Sequence, residues 1–167
     1  YTMRSLRICL ETTARHIRRN IVHDTHRTEP HASIARIDSE DYHRLIEYMK
    51  ILLKENYLEM IRASIGAKLW RHLYADHDGK RVDIVRNGRL SCALYASTIL
   101  HHFKLIDAVH ATVEGTIRDL ERSGWEKTKK PKPGAVIIWE PSLEHDETVA
   151  HPHIGFLIDA THAVSNS

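Results

Sequence analysis

The chain has 167 residues, 42% of them hydrophobic and 28% charged, which is enough apolar material to bury a core and excludes a disordered tail. Its 24 Lys and Arg residues against 22 Asp and Glu residues give a formal net charge of +2, so there is no electrostatic reason to expect nucleic-acid binding. No run of residues approaches the roughly 20 apolar positions that a membrane-spanning helix requires.

The first 60 residues are predicted to form a helical extension. From Ser5 to about Asn20 the apolar residues recur at the i, i+3, i+4, i+7 spacing of one helix face. After a polar loop at residues 24–31, Asp38 or Ser39 can cap a second helix. Its buried stripe, with Met49 and Leu52 among its members, continues as a helical pattern up to Gly66.

Residues 61–167 are predicted to form the main domain, with helices first and strands afterwards. This order favours an α+β fold with an antiparallel sheet. The turn signals are Asp76–Gly79 and Asn87–Gly88, the helices are Ser91–Leu100 and a segment from the cap Thr112 to Ser123–Gly124, and the strands are Ala135–Trp139, His153–Ile158 and Ala163–Ser165.

The ends of the chain and its cysteines limit what can be concluded about its context. The sequence begins at Tyr1 without an initiator Met and ends at Ser167 directly after a predicted strand. We therefore expect a fragment, whose ends say little about targeting. Cys9 and Cys92 lie far apart and offer neither a CxxC zinc motif nor a dense disulfide framework.

Cys92 is the candidate nucleophile because it lies near the start of a predicted helix. Unpaired backbone N–H groups and the positive end of the helix dipole both favour the thiolate, which is the nucleophilic form. Cys92 also shares a helix face with Ala96, Ile99 and Phe103. The alternative is therefore a small buried core residue, since free cysteine is among the most buried side chains.

A cysteine nucleophile needs a base within hydrogen-bond reach, and the base needs a third group that fixes its orientation. His153 opens an apolar strand, where its side chain can point towards a neighbouring helix, and is the candidate base. The next strand offers Ser165 and Asn166 as the orienting group.

Three segments resemble, in the same order, those of the NlpC-type cell-wall peptidases and the related CHAP amidases, which are papain-like cysteine hydrolases of peptidoglycan. Leu90–Tyr95 resembles their cysteine-bearing helix start. Lys132–Trp139 is similar to their Pro-Gly-Asp turn and the strand after it, and His153–Ile158 to the strand that begins with their catalytic histidine. Ser91 and Ala135 stand where the NlpC-type pattern usually has Asp.

The resemblance implies a papain-like core at residues 61–167, truncated at its C-terminus and preceded by extra helices at residues 1–60. It implies that Cys92 is the nucleophile and His153 the base. A strict count from the histidine makes Ser165 the third residue. We favour Asn166, because an amide oxygen can accept the imidazole N–H and hold the ring.

The resemblance also implies a function, that of a cysteine peptidase (thiol protease) or amidase that hydrolyses an amide bond, most simply in a peptidoglycan peptide of the cell wall. Tyr74 and Trp139 are the candidate substrate-binding residues. No cofactor is expected, and the location implied is the cell envelope or outside the cell. Endopeptidase, amidase and acyltransferase activities stay open, as does the oligomeric state.

Two alternatives come from other classes of protein. The sequence has 14 histidines, and His151 and His153 would share one face of an extended strand, close to His145 and Asp146, as in a zinc site. Pro152 between the two histidines indicates a solvated loop instead. The other alternative is a module of the same fold that binds cell-wall peptide or a protein without cutting, which the intact Cys92 and His153 argue against.

Overall fold

The structure, a computed structural model, describes residues 6–12, 49–142 and 150–166. These residues form an α+β fold, as the sequence predicts. In chain order its elements are β1 (Leu6–Thr12), α1 (Leu53–Ala63), β2 (Tyr74–His77), β3 (Lys80–Asp83), α2 (Cys92–His102), α3 (Val113–Arg122), β4 (Trp125–Lys127), β5 (Val136–Ser142), β6 (His151–Leu157) and β7 (Ala163–Val164).

The main sheet has five strands in the order β4-β1-β5-β6-β7. Every neighbouring pair is antiparallel, which confirms the predicted type of sheet. Strands β2 and β3 form a separate hairpin. Its turn residues Asp78 and Gly79 have φ values of 53° and 74°, the left-handed pair that a two-residue hairpin turn requires, so the turn predicted at Asp76–Gly79 is confirmed.

The predicted helix from Ser5 to Asn20 is wrong for the segment Leu6–Thr12, which is strand β1. Seven residues are too few to separate a period of 2 from a period of 3.6, and the pairing decides the outcome. Cys9 lies opposite Ile137 of β5, so β1 takes an interior place in the sheet between β4 and β5. Residues 13–48 of the predicted extension lie outside the described residues, and the domain boundary after residue 60 stays a prediction.

The two faces of the sheet carry different side chains because successive residues of a strand point to opposite sides. Ile154 and Phe156 belong to the main core together with the residues of α2. The rings of Tyr95 and Phe156 meet edge to face with their centroids 5.6 Å apart. On the other face a smaller cluster forms around Cys9, Ile137, Trp139 and Leu157.

Helix boundaries follow the predicted signals closely for α3 and less closely for α1. Thr112 caps α3, since its Oγ1 accepts the backbone N–H of Gly115 at 3.1 Å. Helix α1 begins only at Leu53, so the predicted helix is wrong for residues 49–52. Met49 and Leu52 of the predicted buried stripe precede this helix and are 46% and 47% exposed.

In the described ranges, no helix is both long enough and apolar enough to cross a membrane.

Candidate active site

Cys92 is the first residue of α2, which confirms the predicted placement of its thiol at a helix N-terminus. Ser91 before it is completely buried, and its Oγ donates to the carbonyl of Gly88 at 2.6 Å. The backbone N–H of Tyr95 donates to the Ser91 carbonyl at 2.8 Å. Hydrogen bonds therefore hold Ser91 in place at the start of the helix. The first turn of the helix contains no acidic side chain.

The segment that leads into α2 is held by the carboxylate of Asp83. It accepts backbone N–H groups from Leu73, Val85 and Asn87 at 3.1, 3.3 and 2.9 Å, and it pairs with Nδ1 of His72 at 2.9 Å. These hydrogen bonds, that of His72 above all, hold the pKa of Asp83 far below its usual value. The β2–β3 hairpin is thereby tied to the loop that positions Cys92.

A cleft of about 330 Å³ lies beside the thiol, and we call it the Cys92 cleft. It lies where the beginnings of α2, α3 and β6 come together. Its walls are formed by Ile84, Arg89, Leu90, Cys92 and Ala93, by Ala111, Thr112, Val113 and Glu114, and by His151, Pro152 and His153. The structure thus brings the predicted nucleophile and the predicted base to the same cleft.

His153 is a buried residue of β6, with 9% of its surface exposed. It lies directly opposite Trp139 of β5, and the two rings are 6.0 Å apart between centroids at an interplanar angle of 57°. Packing between these two large side chains restricts the imidazole at the end of the sheet that borders the Cys92 cleft.

The two candidates for the third residue make other contacts. Asn166 donates from Nδ2 to Oγ of Ser91, the residue before Cys92. Ser165 donates from Oγ to the carbonyl of Ile154 at 2.6 Å. Neither is among the residues that line the Cys92 cleft, and the role of orienting His153 stays a prediction for Asn166.

The predicted substrate-binding residues lie away from the walls of the Cys92 cleft. Tyr74 is 49% exposed on the hairpin. Its ring stacks on His72 at 5.7 Å and carries the Arg81 guanidinium 3.5 Å above its centroid. Trp139 is 6% exposed and contacts the site through His153. Both substrate-binding roles stay predictions.

For the zinc alternative, the structure brings His151 and His153 to the same cleft. Within the described residues, no group of three or more His, Cys, Asp or Glu side chains is arranged to hold a metal ion. The other two ligands considered, His145 and Asp146, lie outside the described residues.

A hydrogen-bonded pair, His110 and the buried Asp119, lies outside the residues that the sequence predicts to be functional. The Nε2 and Oδ2 atoms of this pair are 2.6 Å apart, and Asp119 is completely buried. Burial alone would raise the pKa of Asp119, but hydrogen bonds from His110 and from the backbone of Asp107 and Ala108 outweigh it and lower the pKa. The signal available in the sequence was the position of Asp119, an acidic residue on the buried face of the predicted helix.

The second thiol, that of Cys9, differs from Cys92 in its surroundings. It lies in the middle of β1, on the sheet face away from the main core. Burial, with a smaller contribution from the negative charge of Glu11, raises its pKa to about 11. Cys9 is therefore an internal reference for an unreactive cysteine in this chain.

Comparison with protein-family models, curated proteins and solved structures finds no significant match to this chain.

Proposed function

We propose that the chain is a papain-like cysteine hydrolase of the NlpC and CHAP type, with Cys92 as nucleophile and His153 as general base. The observation that carries the proposal is that both residues line one cleft, with the thiol at the first residue of a helix. The three sequence segments that resemble these families, in the same order, add support.

The proposed reaction is acyl transfer to the thiol. The Cys92 thiolate attacks the carbonyl carbon of an amide, and backbone N–H groups at the start of α2 stabilise the oxyanion that forms. The carbon–nitrogen bond then breaks, and protonated His153 gives its proton to the leaving amine. A water molecule, deprotonated by His153, hydrolyses the thioester, which releases the acid and restores the thiol.

The helix start suits this reaction for an electrostatic reason. A thiolate at the first residue of α2 interacts with the positive end of the helix dipole, an effect that is strongest within the first turn. No acidic side chain in that turn opposes it. The hydrogen bonds of Ser91 fix the backbone immediately before the thiol, so the N–H groups keep one orientation during the reaction.

The substrate that we propose is a peptide of the bacterial cell wall, because the resemblance is to peptidoglycan hydrolases. The Cys92 cleft has apolar walls with polar groups at Thr112, Glu114 and Arg89, a lining typical of small-ligand sites. Endopeptidase and amidase cleavage leave different ends on the fragments, so their masses separate the two activities.

The test is digestion of purified peptidoglycan with mass spectrometry of the soluble fragments. We expect fragments from the unmodified chain and a loss of at least about 1,000-fold in rate for Cys92→Ala and for His153→Ala. Cys9→Ala is the matched control and should keep the rate. Unchanged cleavage by Cys92→Ala would overturn the proposal, as would intact peptidoglycan after digestion by a folded, unmodified chain.

A further inference from the structure

A second cavity, of about 240 Å³, lies at the end of α2 that is far from Cys92, and we call it the Tyr57 pocket. Cys92 is the first residue of α2, whereas Leu105, which lines the Tyr57 pocket, comes shortly after the end of this helix. At a rise of about 1.5 Å per residue, the two ends of α2 are about 15 Å apart. Among the described residues, none lines both the Tyr57 pocket and the Cys92 cleft.

The buried part of the pocket wall contains two aromatic rings, those of Tyr57 and Trp125. The polar atoms of both rings have partners within the chain. The hydroxyl of Tyr57 donates to the carbonyl of Gly134 at 2.8 Å, and Nε1 of Trp125 donates to the carbonyl of Leu105 at 3.0 Å. What the two side chains offer to a ligand is therefore apolar ring surface, which packs well against another aromatic ring.

The wall is held in shape before any ligand binds. The ring of Tyr57 packs edge to face on Phe103 and Phe156, with centroids 5.6 and 5.9 Å apart. The backbone N–H of Gly134 donates to the carbonyl of Leu157 at 2.8 Å. Gly134 has a φ of 90°, and a Cβ added there would lie 2.8 Å from Cε1 of Tyr57. A preformed pocket binds its ligand at a lower entropic cost than one that must be ordered.

Two lysines bring positive charge to the pocket. Lys54 lies in the first turn of α1 and Lys132 in the turn before β5, and both side chains are exposed. In the part of the chain that the structure describes, neither forms an ion pair with a carboxylate. Their ammonium groups are therefore available to an anionic ligand.

Glu11 is the single acidic residue among the described residues that line the pocket. Its Oε1 accepts the backbone N–H of Lys132, which holds the carboxylate against the turn. Two cations against one anion leave the pocket with a positive charge. The exposed Lys127, Lys129 and Lys130, which precede Lys132 in the chain, add to this field.

The volume of the pocket limits the size of its ligand. A pocket of about 240 Å³ is larger than the cavity of roughly 150 Å³ that holds benzene and smaller than the roughly 300 to 1,000 Å³ of sites for drug-sized ligands. A ligand with one aromatic ring and a short polar substituent fits between these limits.

We infer that the Tyr57 pocket binds a small aromatic carboxylate. Its ring packs against Tyr57 and Trp125, and its carboxylate pairs with Lys54 and Lys132. The inference goes beyond the proposed function and does not depend on it, because the Tyr57 pocket and the Cys92 cleft lie at opposite ends of α2.

The test is a calorimetric titration of the full chain with four probes, namely phenylpropionate, phenylpropanol, phenylpropylamine and propionate. We expect phenylpropionate to bind and phenylpropanol to bind about 10-fold more weakly, because the alcohol forms no charge-assisted hydrogen bonds. Propionate lacks the ring and phenylpropylamine has the wrong charge, so neither should bind measurably. In NMR spectra, phenylpropionate should shift the indole N–H signal of Trp125 and the amide signals of Gly134 and Ala135.

Variants assign the binding to the pocket and to its charge. Lys54→Gln and Lys132→Gln should each weaken phenylpropionate binding about 5-fold, the effect of losing one exposed ion pair. Glu11→Gln keeps an acceptor for Lys132 and removes the negative charge, so it should strengthen binding. Lys80→Gln, on the separate β2–β3 hairpin, is the matched control and should leave the affinity unchanged. The thermal unfolding midpoint of each variant without ligand checks that it is folded.

Several results would overturn the inference. They are no binding of phenylpropionate, binding of phenylpropylamine as tight as that of phenylpropionate, and equal weakening by Lys80→Gln and the two pocket variants. Cys92→Ala should bind phenylpropionate like the unmodified chain. The inference and the hydrolase proposal therefore fail separately, since one is decided by binding at the Tyr57 pocket and the other by cleavage at the Cys92 cleft.

Discussion

Asn166 donates a hydrogen bond from its side-chain amide to Oγ of Ser91, the residue that immediately precedes Cys92. Residues far apart in the sequence are thereby joined at the start of α2. In the proposed mechanism this contact gives Asn166 the role of positioning the backbone before Cys92, a role that experiments can separate from that of its neighbour Ser165.

We expect Asn166→Ala and Ser165→Ala to have similar effects on stability and different effects on the thiol. Each removes one hydrogen bond, which lowers the free energy of unfolding by about 1 kcal/mol. Only Asn166→Ala releases Ser91, so only this variant should change the alkylation rate of Cys92. Urea unfolding and alkylation of both variants check this, and equal alkylation rates would contradict a positioning role for Asn166.

Gly155 in β6 should not accept a side chain. A Cβ added there would overlap the carbonyl oxygen of Val164 and lie 2.9 Å from Cβ of Ser165. Because the obstacle includes backbone, we expect Gly155→Ala to lower the free energy of unfolding by about 3 kcal/mol.

The matched control for this substitution is Gly66→Ala. A Cβ at Gly66 meets nothing within 4 Å, and only its φ of 77° opposes a side chain, at a cost of about 1 to 2 kcal/mol. Urea unfolding of both variants compares the two costs. If Gly155→Ala costs no more than Gly66→Ala, β7 does not approach β6 at Gly155 as closely as described.

The carboxylate of Asp119, which accepts hydrogen bonds from His110 and from two backbone amides, should make stability depend on pH in the acid range. The folded-state pKa of Asp119 is lowered, so its contribution is complete above the unfolded pKa of about 3.9 and is lost as pH falls through the lower folded value. At pH 7 we expect Asp119→Asn to lower the free energy of unfolding by about 3 kcal/mol, because it removes a buried carboxylate that accepts hydrogen bonds from His110, Asp107 and Ala108.

Urea unfolding at neutral pH and near pH 3 measures this dependence. The difference between the unmodified chain and Asp119→Asn should shrink at the lower pH. Glu126→Gln is the control, because it removes a carboxylate at an exposed position of β4. A difference for Asp119→Asn that stays constant over this range would contradict the assignment.

Local signals in the sequence predict most of the described helices and strands. The start of α2 at Cys92, the cap at Thr112 and the strand that contains His153 all follow from neighbouring residues. Neighbouring residues do not predict strand β1, because its seven residues fit the helical and the strand periodicity equally well. Its pairing partners lie far along the chain. A helix was predicted where only the pairing could decide.

In the candidate site, too, local sequence predicts which residues are candidates, whereas contacts between distant segments could not be predicted. Cys92 and His153 were chosen from their places on a helix and a strand, and they line one cleft. The hydrogen bond between Asn166 and Ser91 could not be predicted, since it depends on where the chain after β7 lies relative to the start of α2. The substrate-binding role of Tyr74 stays a prediction from the resemblance, and the stacking of its ring on His72 and Arg81 could not be predicted.

The most direct test of the central claim is the alkylation rate of Cys92 and Cys9 between pH 5 and 9, read by mass spectrometry of the intact folded chain. We expect Cys92 to react with an apparent pKa well below the usual value of about 8.5, and His153→Ala to raise that pKa again. Cys9, whose pKa is about 11, should stay unreactive. A Cys92 that is inert over the whole range, or whose reactivity does not change in His153→Ala, would contradict the proposed pair of nucleophile and base.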